Sequence, residues 1–212
     1  MKSAMHSRLA HTLMLAVAFS IGLTLATNVS SVHAQSGNKV QEKQKVQKKQ
    51  KPKLGILNQK APELTVNVWQ QLPKSNITNE IKLEDYRGKV VYLYFFQSWC
   101  PGCHSQGFPT LAQLQKKFAD DKEVVFLTIQ TTFEGKSTNT PQRGLATAKK
   151  FKLQIPVGHS EAKRGSPQIM RDYRTGGTPW TVVVDKKGIV RFNDFHIKPA
   201  DGTKLIKTLK KK

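Results

Sequence analysis

The chain has 212 residues, enough for one domain of ordinary size with appendages. Only 38% of the residues are apolar and the formal charge is +21, so part of the chain lies outside any hydrophobic core. Two cysteines exclude a disulfide framework, and no second Cys or His clamp is present to complete a structural zinc site.

The first segment, "MKSAMHSR", is short and basic, and "LAHTLMLAVAFSIGLTLA" (9–26) is mostly apolar. "TNVSSVHA" follows, with Val32 and Ala34 at the small-residue positions before a cleavage point. This order predicts a secretory signal peptide over 1–34, removed after Ala34. The alternative is an uncleaved membrane anchor, against which His11, Thr12, Ser20, Gly22 and Thr24 dilute the run. No cysteine adjoins the cut, so lipid attachment there is excluded. Export predicts a periplasmic protein, in a compartment where a disulfide persists.

Residues 35–53 hold seven lysines, one glutamate and two isolated valines, which predicts a basic, disordered tether ahead of a folded domain over 54–212. Loss of Lys2 and Arg8 with the signal peptide leaves +19. Such a charge implies solubility and a weak attraction to an anionic membrane surface. The basic segments lack interleaved aromatics, so no nucleic-acid partner is expected.

Within the domain, "ELTVNVW" alternates as a half-buried strand does, and "IKLEDYRGK" reads as a polar turn around Gly88. "VVYLYFF" (90–96) is apolar on both faces, which predicts a strand in the middle of a covered sheet. "EVVFLTIQ" (123–130) and "TVVVD" (181–185) have the same character. Between the first two, Leu111, Leu114 and Phe118 recur at helical spacing, predicting an amphipathic helix over 101–119 kinked at Pro109. Strand, helix, strand implies a parallel crossover. Residues 131–140 read as a loop, "PQRGLATAKKFKL" as a helix and "IPVGH" as a short strand. "SPQIMRDYRT" predicts a helix capped by Ser166, with Pro167 at its first position. "DKKG" joins "TVVV" to "IVRFNDF" as a hairpin, and "PADGTKLIKTLKKK" closes the chain as a helix. The fold class is one α/β domain with a mixed sheet flanked by helices.

Both cysteines lie in "FFQSWCPGCHSQGFPT" (95–110), where the central strand ends and the helix begins. Ligands and chemistry gather at the carboxyl ends of such strands. Cys100 at the helix mouth meets unpaired N–H groups and the positive end of the macrodipole, which favours a thiolate. Cys103, three residues on, lies beside it and one turn deeper. The outer sulfur is the expected nucleophile and the inner one the resolving thiol. A disulfide across two residues closes too small a loop to brace a fold. A two-thiolate copper(I) site is chemically sensible, and peroxide reduction through a Cys100 sulfenic acid is a further alternative. Against the latter, the Pro-x-x-x-Thr-x-x-Cys pattern is missing before Cys100.

"GKVVYLYFFQSWCPGC", followed by "GGTPWTVVVDKKGIV", resembles the thioredoxin superfamily, and within it the TlpA/ResA-type exported thiol-disulfide oxidoreductases. The resemblance covers roughly residues 54–210. It implies a thioredoxin-like three-layer fold, with an extra helix and strand within 131–176 and an N-terminal extension ahead of Lys89. It implies a cis Pro179 lying against the cysteines, with Thr178 offering its backbone to a substrate strand. Trp99 and Pro101 would line the same surface, and Trp180 would either shape that groove or pack in the core. It further implies exported thiol or disulfide proteins as partners, an electron donor in the membrane, reductase direction, and neither cofactor nor metal. Three positions depart from the pattern. Tyr94 stands where thioredoxin has a buried aspartate, and Gln106 where the branch often has a glutamate. Pro109 falls nine residues after Cys100 instead of eight, so one residue, Gly107, is expected as a local bulge. The proton acceptor is then unassigned, with Glu84, Asp85, His104 and water as candidates.

Overall fold

A computed structural model describes residues 53–212 apart from residue 77. The expected signal peptide over 1–34 and the expected tether over 35–53, but for Lys53, lie outside the described residues. Six strands form one mixed sheet: β1 Val68–Gln70, β2 Val90–Phe96, β3 Val124–Thr132, β4 Val157–Glu161, β5 Trp180–Val184 and β6 Val190–Asp194. Their order across the sheet is β1-β4-β3-β2-β5-β6. β2 runs parallel to β3 and β3 to β4, while β5, β6 and β1 are antiparallel to their neighbours. The helices are α1 Phe108–Lys117, α2 Pro141–Lys150, α3 Gln168–Asp172 and α4 Pro199–Lys210. No helix among the described residues is long and apolar enough to cross a membrane.

All seven residues of β2 are buried, because its alternate side chains enter two different cores. Tyr92, Tyr94 and Phe96 face Phe108, Leu111 and Leu114 of α1 and Ile206 and Leu209 of α4. Val91, Leu93 and Phe95 face Ile169, Met170 and Tyr173 around α3 and the lead segment through Ile56, Ile81 and Leu83. The result is three layers, with the lead segment serving as part of one of them. α2 and β4 are the helix and strand expected within 131–176, and β4 continues the parallel run beside β3.

Local differences from the sequence reading have physical causes. The half-buried strand over "ELTVNVW" shortens to β1, because only 68–70 find ladder partners on β4. The polar turn before β2 is a tight 3₁₀ turn over Leu83–Tyr86. β3 runs on through Thr131 and Thr132, which pair with Ser160 and Glu161, so the loop starts later than read. Ser166 does not cap α3; Pro167 itself occupies the cap position with extended backbone, and no side chain caps the helix. In the "DKKG" turn the Asp185 carboxylate accepts the N–H groups of Lys187 and Ile189 and the Nε–H of Arg191, at 2.9, 2.9 and 2.7 Å.

The expected break ahead of Pro109 is a π-helical turn over Cys103–Gly107, in which the Phe108 N–H reaches back five residues to the Cys103 carbonyl. It hosts the one extra residue between the cysteines and the proline. Phe108 then stacks on Phe151 at 4.6 Å between ring centroids and meets Phe96 edge-on at 4.9 Å. Leu111 is fully buried against β2. Leu111→Ala is expected to cost about 2–5 kcal/mol through lost transfer energy and the cavity left behind, read as a lowered urea midpoint.

Candidate active site

The two sulfurs sit where β2 delivers them. Phe96 ends the strand, Gln97 to Trp99 turn the chain, and Pro101 opens the helix. Both cysteines are free thiols. Cys100 is the outer one, with 6% of its surface exposed against 0% for Cys103. The Cys103 backbone N–H donates to Cys100 Sγ at 3.4 Å, as expected at a helix mouth. Cys100 Sγ–H donates to the Thr178 carbonyl oxygen at 3.4 Å. The Thr178–Pro179 peptide is cis. Pro179 lies over Gly102, where an added Cβ would stand 3.2 Å from Pro179 Cδ, so a side chain at 102 would crowd the proline. Thr178 and Pro179 are half-buried, Pro101 is exposed, and Trp99 is 49% exposed. The residues singled out from the sequence are thus brought together on one face.

The inner sulfur behaves differently from the outer one. Burial pushes the Cys103 thiol up to about 12, helped by its hydrogen bond with Cys100 and opposed by the Gln97 N–H and the Tyr94 hydroxyl. Cys103 is therefore a thiol at neutral pH until something draws its proton away.

Three candidates for that proton do not reach it. Glu84 and Asp85 are exposed at the amino end of β2, about 23 Å of strand away from the cysteines. His104 is half-buried with its ring Nε2 held on the Ser98 carbonyl oxygen at 2.7 Å, and its ring packs on Phe108 and Phe151. Gln106 points to solvent. Trp180, read as either groove or core, is core: it is 1% exposed, meets Phe195 edge-on, and donates through Nε1 to Asn193 Oδ1. Met170 and Tyr173 are also core residues, the Tyr173 hydroxyl donating to the Pro62 carbonyl oxygen at 2.7 Å.

Sequence reasoning missed a buried amide network beneath the loop that carries Trp99. Gln97, Gln130 and Asn139 are each 0% exposed. Asn139 Oδ1 accepts the Ser98 N–H at 2.8 Å, and Asn139 Nδ2 donates to Gln97 Oε1 at 3.0 Å. Trp99 Nε1–H donates to the same Gln97 oxygen at 2.8 Å. Gln130 Nε2 donates to Ser98 Oγ at 2.7 Å, and Gln130 Oε1 accepts from His159 Nδ1 at 2.7 Å. An amide oxygen only accepts, which fixes the His159 tautomer with its proton on Nδ1. Burial holds the His159 ring below its usual range, against the pull of Glu161. The signal in the sequence was a glutamine at the end of each of two largely apolar runs, Gln97 after "VVYLYFF" and Gln130 in "EVVFLTIQ".

Among the described residues, no three His, Cys, Asp or Glu side chains cluster as a metal site.

Comparison with known proteins matches residues 57–193 to the AhpC/TSA family. The chain belongs to that family. It is 30% identical over 139 residues to the thioredoxin-like protein YneN of Bacillus subtilis, covering 64% of this chain and 74% of YneN. It is 28% identical over 114 residues to the thiol-disulfide oxidoreductase ResA of Geobacillus kaustophilus, covering 53% of this chain and 58% of that protein. Among solved structures, a thioredoxin-like superfamily protein superposes with a TM-score of 0.65 at 30% identity, covering 72% of this chain and 97% of that one. A thiol-disulfide isomerase from Corynebacterium glutamicum superposes with a TM-score of 0.61 at 29% identity, with the same coverage. The fold is thioredoxin-like, and the chain is an oxidoreductase of the thiol-disulfide kind.

With its thiol held up to about 12 by burial, Cys103 resists alkylation in the folded protein. Iodoacetamide at neutral pH is expected to label Cys100 alone, with Cys103 labelled only after unfolding, as read by peptide mass.

Proposed function

We propose that the protein exchanges disulfides with exported protein partners in the periplasm, through Cys100 as nucleophile and Cys103 as resolving thiol. The arrangement of the two sulfurs carries this reading: the outer one, 6% exposed, bonded to the Thr178 carbonyl beside the cis Pro179, and the inner one, fully buried three residues on, with its own N–H on the outer sulfur. Cys100 as thiolate attacks a partner disulfide and forms a mixed disulfide. Cys103 then attacks Cys100, the Cys100–Cys103 bond forms, and the partner leaves with both electrons and takes up a proton. The Thr178–Pro179 segment supplies backbone groups beside Cys100 for an extended partner strand. The TlpA/ResA-type sequence motifs favour running the cycle as a reductase, which requires a donor of electrons at the membrane to reopen the Cys100–Cys103 disulfide.

The test is capture in cells. Cys103→Ala is expected to accumulate exported thiol proteins as mixed disulfides on Cys100, and Cys100→Ala to lower insulin-disulfide reduction to background. Capture that persists in Cys100→Ala and disappears in Cys103→Ala would reverse the two roles. Stoichiometric copper retention without insulin reduction would assign the pair to metal carriage instead.

The apolar run at 9–26 and the Ala34 junction support export by a cleaved leader. Protein recovered from the periplasm is expected to begin at Gln35, by terminal peptide mass.

A further inference from the structure

Tyr94 is a polar residue placed where the chain tolerates polarity least. It is fully buried in the middle of the central strand, with its ring between Phe96 and Phe108. A hydroxyl in such a place needs a partner. The Tyr94 hydroxyl donates to the Cys103 carbonyl oxygen at 3.4 Å, and it also bears on the Cys103 sulfur, where it favours the thiolate.

The helix is built around that hydroxyl. An added Cβ at Gly107 would stand 1.9 Å from the Tyr94 hydroxyl oxygen and 2.5 Å from its ring carbon Cζ. Only glycine admits the phenol there, although glycine inside a helix costs stability. Gly107 also ends the π-helical turn that begins at Cys103. The extra residue of that turn and the extra bulk of Tyr94 are two sides of one fit. The Cys103 carbonyl already receives the Phe108 N–H. The hydroxyl has one proton, and a turn about its C–O bond would carry that proton from the carbonyl toward the sulfur of the same residue.

We propose that Tyr94 is a positioning residue for the resolving step: seated in the space Gly107 leaves open, its hydroxyl donates to the Cys103 sulfur as that sulfur becomes a thiolate. This rests on the reading of Cys103 as the resolving thiol. When Cys103 attacks the mixed disulfide, it gives up its S–H proton, and the departing partner thiolate takes up a proton in return. The Cys103–Cys100 bond forms, the Cys100–partner bond breaks, and the partner sulfur departs with the electron pair. Tyr94 keeps its proton throughout, since burial and then the neighbouring Cys103 push its phenol well above the usual range. The groups that bear on the Cys103 thiol are Cys100, the Gln97 N–H and Tyr94; those that bear on Tyr94 are Cys103, Tyr92 and Cys100. None is a carboxylate. The buried sulfur is therefore served by neutral donors that stabilise its charge, and not by a base that removes its proton.

The test is a stopped-flow reaction of the reduced protein with dithiobis-nitrobenzoate, which releases one coloured thiolate on attack and a second on resolution. Tyr94→Phe removes only the oxygen, and the Cys103 carbonyl keeps its Phe108 partner. The first phase is expected to stay within about twofold. The second should slow about tenfold or more, the weight of one hydrogen bond to a charged acceptor, and its pH profile should move upward. Gly107→Ala, which displaces the hydroxyl, should slow the same phase. Two unchanged phases in Tyr94→Phe, or equal slowing of both, would overturn the proposal. A wild-type protein with no first phase would overturn the disulfide-exchange reading itself, and the proposal with it.

Discussion

The structure depends on one constraint: β2 is buried on both of its faces. A strand so placed cannot slip its register by one residue, because each side chain would enter the wrong core. Val90 through Phe96 are therefore fixed against β3 on one side, and Val91 through Phe95 against β5 on the other. The chain leaves this strand at a fixed point, and Cys100 and Cys103 follow within seven residues. The partner strand β5 begins at Trp180, directly after Pro179, and Trp180 pairs with Phe95. The same ladder that fixes the cysteines thus fixes the Thr178–Pro179 segment opposite them. Two stretches about 75 residues apart in sequence meet because β2 and β5 are neighbours.

The second principle of the site is a gradient of burial across a single helical turn. Cys100, 6% exposed at the rim of the apolar core between β2 and α1, meets the Cys103 N–H and the Thr178 carbonyl, whereas Cys103 lies in the same core with no exposed surface. Burial makes the inner thiolate costly, and the only relief comes from hydrogen-bond donors. In a low-dielectric setting each such donor counts for more than it would in water. The neutrality of the surroundings is consistent along the whole site. The loop before Cys100 is held by amides, through Gln97, Asn139 and Gln130, and not by charges. Such amides avoid the desolvation penalty of a buried ion pair, although Gln97 Nε2 is left buried without a hydrogen-bond partner.

The elements with strong local patterns were legible in the sequence. The doubly apolar run at 90–96 gave a central strand, and the 3.6-residue recurrence of Leu111, Leu114 and Phe118 gave α1. The displaced proline at 109 announced an inserted helical residue, since a helix proline can shift by one position only if the turn before it widens. The Ser166 cap and the full length of the "ELTVNVW" strand were misread. The strand depended on a partner that local pattern does not name, since β4 offers β1 only three paired residues, and the cap shifted by one residue because Pro167 takes that position with extended backbone.

By itself, the sequence determined the chemistry available: two thiols at a strand-to-helix junction, a Thr-Pro segment ahead of another buried strand, and the periodicities that build an α/β domain. Covalent spacing and side-chain period are local quantities, and they are written in order along the chain. Tertiary structure alone decided which groups act on the inner sulfur. It brought Tyr94 from the strand into contact with Cys103 and Gly107, and it set Glu84 and Asp85 at the far end of that strand. It also joined Gln97, Asn139, Gln130 and His159 into one network. Burial and hydrogen bonding depend on distances between atoms far apart in sequence, and those distances exist only once the sheet has formed.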